Sequence, residues 1–90
     1  MAKESPLALK TLQELGEQDH ALSQYFLGQL YSEGKGVEKN EEEAFKWYKK
    51  AAENGDSGSA HEVGRRYKMG IGVKKDENEA QKWFVKSNML

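Results

Sequence analysis

The sequence contains no cysteine, one proline and no long apolar run among its 90 residues. Without cysteine, the chain can form no disulfide bond and offers no thiolate ligand to a metal ion. No apolar run approaches the length of a secretory signal or a membrane span, which predicts a soluble, cytoplasmic protein. Alternation of apolar and polar residues over a useful length is also missing, so the sequence predicts an all-α fold.

Charge of one sign is not in excess either. The chain has 14 basic and 15 acidic residues and a net charge of −1, which argues against a nucleic-acid or anionic-membrane binder. The halves differ, because residues 1–45 hold 4 basic and 9 acidic residues (−5) and residues 46–90 hold 10 and 6 (+4). This split either steers a partner or favours head-to-tail contact, or it reflects two solvated faces that merely differ.

The sequence does contain a duplication. A shift of 36 positions aligns residues 23–50 with residues 59–86 and gives 13 identities in 28 positions, with glycines and aromatics prominent among them. A period of this length is typical of stacked repeats, in which each repeat buries its apolar face against a neighbour. Such arrays usually present a surface to a partner and carry out no chemistry.

Five helices are expected. Ser5 and the proline after it predict the start of a first helix that continues to Gly16. Asp19 is expected to cap the second helix and Asn40 the third, which Asn54 and the glycine after it should end. In between, two glycines in the loop at residues 34–40 allow a tight reversal.

The second copy repeats this pattern. A fourth helix is predicted from about residue 59 to residue 69, a glycine loop follows at residues 70–76, and a fifth helix carries Trp83. The identical placement of Trp47 and Trp83 in the two copies predicts that both indoles belong to the core. The chain is therefore expected to be a short α-solenoid.

These motifs resemble the Sel1-like repeat (SLR) family, whose members are relatives of the tetratricopeptide repeats. The resemblance covers nearly the whole chain. It rests on Leu27-Gly28-x-x-Tyr31, Gly34-Lys35-Gly36-Val37, Lys46-Trp47-Tyr48, Lys50-Ala51-Ala52-Glu53-Asn54-Gly55, and on the second copies Val63-Gly64-x-x-Tyr67, Gly70-Ile71-Gly72-Val73 and Lys82-Trp83-Phe84.

The resemblance implies a single domain, residues 1–90. It would comprise an N-terminal capping helix at residues 5–18 and two TPR-like helical hairpins at residues 19–54 and 55–90. It also implies an adaptor whose first helices line a concave groove for a protein partner. Some members staple each repeat with a disulfide, which this chain cannot do, so its stability must come from packing.

No motif predicts catalysis, a metal ion or a cofactor. The glycine loops lack the spacing of a phosphate-binding loop, and the two histidines, His20 and His61, have no metal-ligand spacing. The glutamates that open the third helix complement its dipole and diverge around its axis, so they do not form an acid–base pair. The sequence therefore predicts a protein that is not an enzyme.

The two copies differ most at one face of the first helix of each hairpin. Phe26 and Leu30 in the first copy become Glu62 and Arg66 in the second. One interpretation is structural: the apolar pair packs on the capping helix and the charged pair is an exposed ion pair. The other is a groove for an acidic, amphipathic peptide, lined by Tyr25, Phe26, Gln29, Leu30, His61, Glu62, Arg65, Arg66 and Lys68.

The sequence thus predicts a protein–protein interaction module that presents a concave groove. A small inhibitor or immunity protein is one form that such a module takes. The alternative is a structural role, in which copies self-associate end to end through the apolar C-terminal residues Met89 and Leu90.

Overall fold

Five α-helices make up the described part of the chain. The computed structural model describes the backbone of residues 6–90 and the side chains of residues 9–90, so the predicted cap Ser5 lies outside the described residues. No strand occurs within the described part of the chain. The helices are α1 (Pro6–Glu17), α2 (Ala21–Glu33), α3 (Glu41–Glu53), α4 (Ser57–Met69) and α5 (Glu77–Met89).

Each helix packs on the next one along the chain, and the stack measures 41 × 22 × 19 Å. Contacts between sequential neighbours dominate, as expected for a solenoid in which each unit leans on the one before it. The prediction of a short all-α solenoid is confirmed.

The two glycine loops close in the same way. Gly34 has φ +69° at the end of α2, and its N–H donates to the carbonyl of Leu30 at 2.8 Å. The Asn40 N–H then donates to the carbonyl of Tyr31 at 2.9 Å, and the Asn40 side chain caps α3 as predicted. The second loop repeats both bonds 36 positions later and ends at Asp76, the cap of α5.

The prediction that Asp19 caps α2 is wrong. Asp19 has a left-handed backbone with φ +62°, and the cap is His20, whose Nδ1 accepts from the Ser23 N–H at 3.2 Å. In the second repeat the equivalent residue is Asp56, which caps α4 through the N–H of Ser59 at 2.8 Å. Helix α4 accordingly begins two residues before the predicted start.

The core consists of small and aromatic side chains. Ala44, Ala60 and Val63 are fully buried, and their size lets neighbouring helices approach closely. Gly28 and Gly64 lie against the rings of Tyr48 and Phe84, respectively, where a Cβ would come within 3 Å of the ring. The Gly-x-x-Tyr pattern of the sequence thus marks the contact between the two helices of each hairpin.

The two tryptophans differ in burial. Trp83 is buried in the core, as predicted. Trp47 is only partly buried and lies outside the core cluster, and its ring covers Gly16 of α1. The prediction of equal burial fails because the neighbour of Trp47 is the short capping helix and not a complete repeat.

A buried glutamine joins the capping helix to the first repeat. Gln24 has no solvent exposure. Its Nε2 donates to the carbonyl of Gly16 at 2.7 Å, and its Oε1 accepts from Asn54 Nδ2 at 3.0 Å. Because a buried amide must be hydrogen-bonded, this pair of bonds fixes α1, α2 and the end of α3 relative to one another.

Candidate functional site

A buried arginine lies at the junction of the two repeats. Arg66 of α4 is 1% exposed. Its Nη1 donates to Glu41 Oε1 at 3.0 Å, its Nη2 to Ser32 Oγ at 2.9 Å and its Nε to Glu62 Oε2 at 3.0 Å. The guanidinium also lies over the ring of Tyr48, with Cζ 5.0 Å from the ring centroid. One side chain therefore links helices α2, α3 and α4.

This geometry corrects the interpretation of Glu62 and Arg66 as an exposed ion pair. A buried charge is costly unless it is paired and hydrogen-bonded, and here all three nitrogens of the guanidinium have acceptors. The cation needs acceptors from α3 as well as from its own helix, which a comparison of the two copies alone does not reveal. Arg66 consequently adds no exposed charge to a basic groove wall.

The network changes the acidity of Glu41. Burial would raise the pKa of this carboxyl, but the hydrogen bond and positive charge of Arg66 oppose it, and the bond from Ser32 adds to them. The net result is a pKa below the ordinary glutamate value. Glu41 is therefore ionised at neutral pH and holds Arg66 by a charge-assisted bond.

Glu62 also fixes a second, exposed arginine. Arg65 Nη2 donates to Glu62 Oε2 at 2.7 Å and Arg65 Nε to Glu62 Oε1 at 3.2 Å, a bidentate pair. The hydrogen bond to Glu62 raises the pKa of Arg65, whose side chain is 47% exposed. The Arg65 guanidinium is thus a cation held in one orientation at the surface.

Aromatic residues of α2 lie next to the Arg66 network. The Tyr25 ring lies 5.8 Å from the Phe26 ring and 5.8 Å from the Tyr48 ring, measured between centroids. Gln29 Nε2 donates to the Tyr25 hydroxyl at 3.1 Å. Phe26 is 43% exposed and Leu30 is partly buried, so Phe26 is not buried on the capping helix.

Tyr48 of α3 forms the floor of this face. Its ring contacts both Tyr25 and Arg66, and it is buried. Burial, and then the charge of Glu62, raise the pKa of Tyr48 to about 12, so the hydroxyl is neutral at neutral pH. Tyr48 entered the sequence-based prediction only as part of the Lys46-Trp47-Tyr48 motif, which gave no sign of this role.

The remaining predicted groove residues lie one repeat further along. His61 packs on Phe84, with ring centroids 5.1 Å apart, which repeats the contact of Tyr25 with Tyr48. Lys68 borders a separate cavity with α5 residues that include Phe84. The structure thus gathers six of the nine predicted residues around Tyr48, and we call this surface the α2–α4 face: Tyr25, Phe26, Gln29, Glu62, Arg65 and Arg66.

The described residues hold no cluster of histidine, aspartate and glutamate suited to a metal ion. His20 and His61 lie on different helices, one as a helix cap and one against Phe84. Of the helices described, none has both the length and the apolar character needed to cross a membrane.

The fold and this face define a helical repeat protein in which stacked helical hairpins share one exposed surface. The chain belongs to the Sel1 repeat family, whose model matches residues 21–56 and 57–90. Sel1 repeats are typically protein–protein interaction modules and generally non-enzymatic scaffolds. No curated protein matches the sequence.

Three solved structures are similar to this chain over its length. A Sel1 repeat protein from Oxalobacter formigenes is 35% identical over 92% of the chain, with a TM-score of 0.89. A protective antigen of uropathogenic Escherichia coli with an SLR fold is 33% identical over 91%, with a TM-score of 0.88. Helicobacter pylori cysteine-rich protein B is 31% identical over 90%, with a TM-score of 0.87.

All three proteins have longer chains. The chain spans 34% of the Oxalobacter protein, 18% of the Escherichia protein and 61% of the Helicobacter protein. The similarity therefore concerns the repeat fold of the part that each protein shares with this chain.

Proposed function

We propose that this chain is a non-enzymatic interaction module whose α2–α4 face holds an acidic, amphipathic segment of a partner protein. A role as a small inhibitor or immunity protein is one form of this function. The observation that carries the proposal is a chain of contacts between two exposed groups. The exposed Phe26 ring contacts Tyr25, which contacts Tyr48. Tyr48 contacts Arg66, and Arg66 shares Glu62 with the exposed guanidinium of Arg65.

The chemistry of the face supports this partner. Phe26 and Tyr25 offer apolar and aromatic surface on α2, and Arg65 offers a cation on α4 whose orientation Glu62 already sets. An amphipathic helix or peptide can cover the aromatic surface of α2 with apolar side chains and pair a carboxylate with the Arg65 guanidinium.

The base of the face is rigid, which favours binding. Tyr48 is packed between Tyr25 and the buried Arg66 network, so few side chains need to be ordered when a partner binds. Pre-organisation of this kind lowers the entropic cost of association.

The test is a double substitution of Phe26→Ser and Arg65→Ser. We expect at least about a tenfold loss in capture of the natural partner, because aromatic and arginine side chains dominate interface energies. Both side chains are substantially exposed, so helical circular dichroism should be preserved. Lys74→Ser with Lys75→Ser, at exposed positions of the second loop, is the matched control. Undiminished capture by a folded double variant would refute the proposal.

End-to-end self-association is the second candidate, because Val85, Met89 and Leu90 are exposed on or beside α5. One difference between the two repeats argues against self-association. Phe45 joins α3 to α4 through Tyr67, with ring centroids 5.2 Å apart, whereas the equivalent α5 residue is Gln81. We therefore expect a monomer in sedimentation velocity across protein and salt concentrations. Concentration-dependent growth would favour self-association instead.

A further inference from the structure

The outward sides of α3 and α5 carry the same cluster of side chains twice. In the first, Lys50 Nζ lies 4.9 Å from the centroid of the Trp47 ring, and Lys46 pairs with Glu43 at 3.6 Å. The second repeats both contacts at 4.5 Å and 3.2 Å. We call these the lysine–tryptophan clusters: Glu43, Lys46, Trp47 and Lys50, and Glu79, Lys82, Trp83 and Lys86.

Each cluster lines a shallow cavity. The cavity on α3 has a volume of about 370 Å³ and the one on α5 about 730 Å³. Six lining positions of the first correspond, at a shift of 36, to lining positions of the second. The α3 cavity is lined by Glu43, Phe45, Lys46, Trp47, Lys49, Lys50 and Glu53, and the α5 cavity by Asn78, Glu79, Gln81, Lys82, Trp83, Val85 and Lys86.

The two cavities point away from the α2–α4 face. The buried side of α3 contains Ala44, Tyr48 and Ala51, and Lys46 and Lys50 project from the opposite, exposed side. The repeat relation gives the α5 cluster the same orientation one repeat further along. The clusters therefore form a second surface, distinct from the α2–α4 face.

One lysine of each cluster contacts an indole ring and, among the described residues, no carboxylate. In the part of the chain that the structure describes, Lys50 and Lys86 contact an indole ring and are joined to no aspartate or glutamate within ion-pair distance. A lysine ammonium has three hydrogen-bond donors, and contact with a ring face leaves them available. Each cluster can thus accept a carboxylate without first breaking an ion pair at Lys50 or Lys86.

More exposed apolar surface borders the second cluster than the first. Where α3 has Lys49 and Glu53, α5 has Val85, which is 58% exposed, and Met89, which is 77% exposed. A ligand that spans both clusters therefore meets cations at both and an apolar patch only at the second.

We propose that the two lysine–tryptophan clusters bind an acidic peptide segment of a protein, with carboxylates on Lys50 and Lys86 and an apolar side chain on Val85. The charges favour a peptide over a nucleic acid or an anionic membrane. Glu43 and Glu79 each pair with one lysine of their cluster and would repel a continuous polyanion. Each of the two separate cavities can hold one side chain of a peptide. With the α2–α4 face opposite, the module would bridge two partners.

Tryptophan fluorescence tests this directly, because Trp47 and Trp83 are the only two tryptophans in the chain. The probe is a peptide of about twelve residues built from Glu-Glu-Leu units, and its neutral counterpart is built from Gln-Gln-Leu units. We expect a saturable fluorescence change with the acidic peptide that weakens as salt is raised. The neutral peptide and vesicles containing phosphatidylserine should give none.

The variant Lys50→Gln with Lys86→Gln should weaken binding of the acidic peptide by about tenfold or more. Lys74→Gln with Lys75→Gln changes the net charge equally at exposed loop positions and should leave binding nearly unchanged. Both tryptophans lie in the clusters and neither lies in the α2–α4 face, so the fluorescence change reports binding at this surface. Three results would each overturn the proposal: no saturable change up to about 1 mM acidic peptide, equal weakening by both lysine pairs, or a response to the vesicles instead of the peptide.

Discussion

Replacement of Gly72 by alanine is expected to lower the melting temperature far more than replacement of Gly70 in the same loop. Both glycines have positive φ, +74° and +70°, so each alanine incurs a similar backbone strain of about 1–2 kcal/mol. Only at Gly72 would the new Cβ also collide with backbone, because it would overlap the carbonyl oxygen of Glu41 and lie 2.6 Å from the carbonyl carbon. At Gly70 the nearest atom, Lys75 Cβ, is 3.4 Å away.

A backbone clash cannot be relieved by a rotamer change, so the second loop would have to separate from the start of α3. We expect Gly72→Ala to cost about 3 kcal/mol or more in unfolding free energy, and Gly70→Ala about 1–2 kcal/mol. For a domain of this size each kcal/mol shifts the melting temperature by about 4–8 °C. Thermal unfolding followed by circular dichroism measures both variants, and equal shifts would show that Gly72 does not join the two repeats.

Replacement of Arg66 by alanine is the second change with a large expected effect. The substitution removes three charge-assisted hydrogen bonds and the contact with Tyr48. Glu41 and Glu62 lose their buried partner, but both are partly exposed and water can solvate them in part. We therefore expect a loss of about 3 kcal/mol, near the lower end of the range for breaking a buried ion pair.

Arg65→Ala is the matched control, since it removes the neighbouring arginine and an exposed ion pair with the same glutamate. Exposed pairs contribute about 0–1 kcal/mol. Urea unfolding of the two variants should thus differ by about 2 kcal/mol or more. Comparable losses would mean that the Arg66 network does not hold the repeats together.

The contribution of Arg66 to stability has an expected pH dependence. Arg66 keeps the pKa of Glu41 below its ordinary value in the folded state, although burial opposes this. A lowered carboxyl pKa adds stability above the unfolded-state pKa, and this stability is lost as the pH falls through the folded-state pKa. The difference in unfolding free energy between wild type and Arg66→Ala should therefore be constant near neutral pH and shrink below about pH 4.

Much of the fold was predictable because it depends on local chemistry that repeats. The glycine loops, the Asn40 cap and the burial of Trp83 follow from turn geometry, capping and apolar spacing, which a single sequence displays. The cap of α2 was predicted one residue too early because Asp19 is a far commoner capping residue than histidine. The signal for its left-handed backbone lies in the second copy, where the equivalent residue is Gly55 with φ +97°.

The candidate site was less predictable because it is made of contacts between distant positions. The comparison of the two copies showed that Leu30 is replaced by Arg66, and this difference marks the position of the candidate site. That Arg66 is buried depends on Glu41, 25 residues earlier, and Ser32, 34 residues earlier. The position of Glu41 at the start of α3 was already explained by the helix dipole. Nothing further in the sequence therefore indicated its ion pair with Arg66.

The partial exposure of Trp47 has a similar cause. A repeat pattern assigns equal environments to equal positions, but the first repeat stacks on a capping helix and the second on a full hairpin. The neighbour of Trp47 is the backbone around Gly16, which covers only part of the indole.

Site-specific photocrosslinking in the source cell tests the central claim most directly. A photoreactive phenylalanine analogue at position 26 would replace an exposed ring on the α2–α4 face, and one at position 74 would lie on the second loop. We expect a discrete crosslinked protein from position 26 that is absent from position 74. Crosslinking from position 74 alone, or from neither position in a cell that contains the partner, would contradict it.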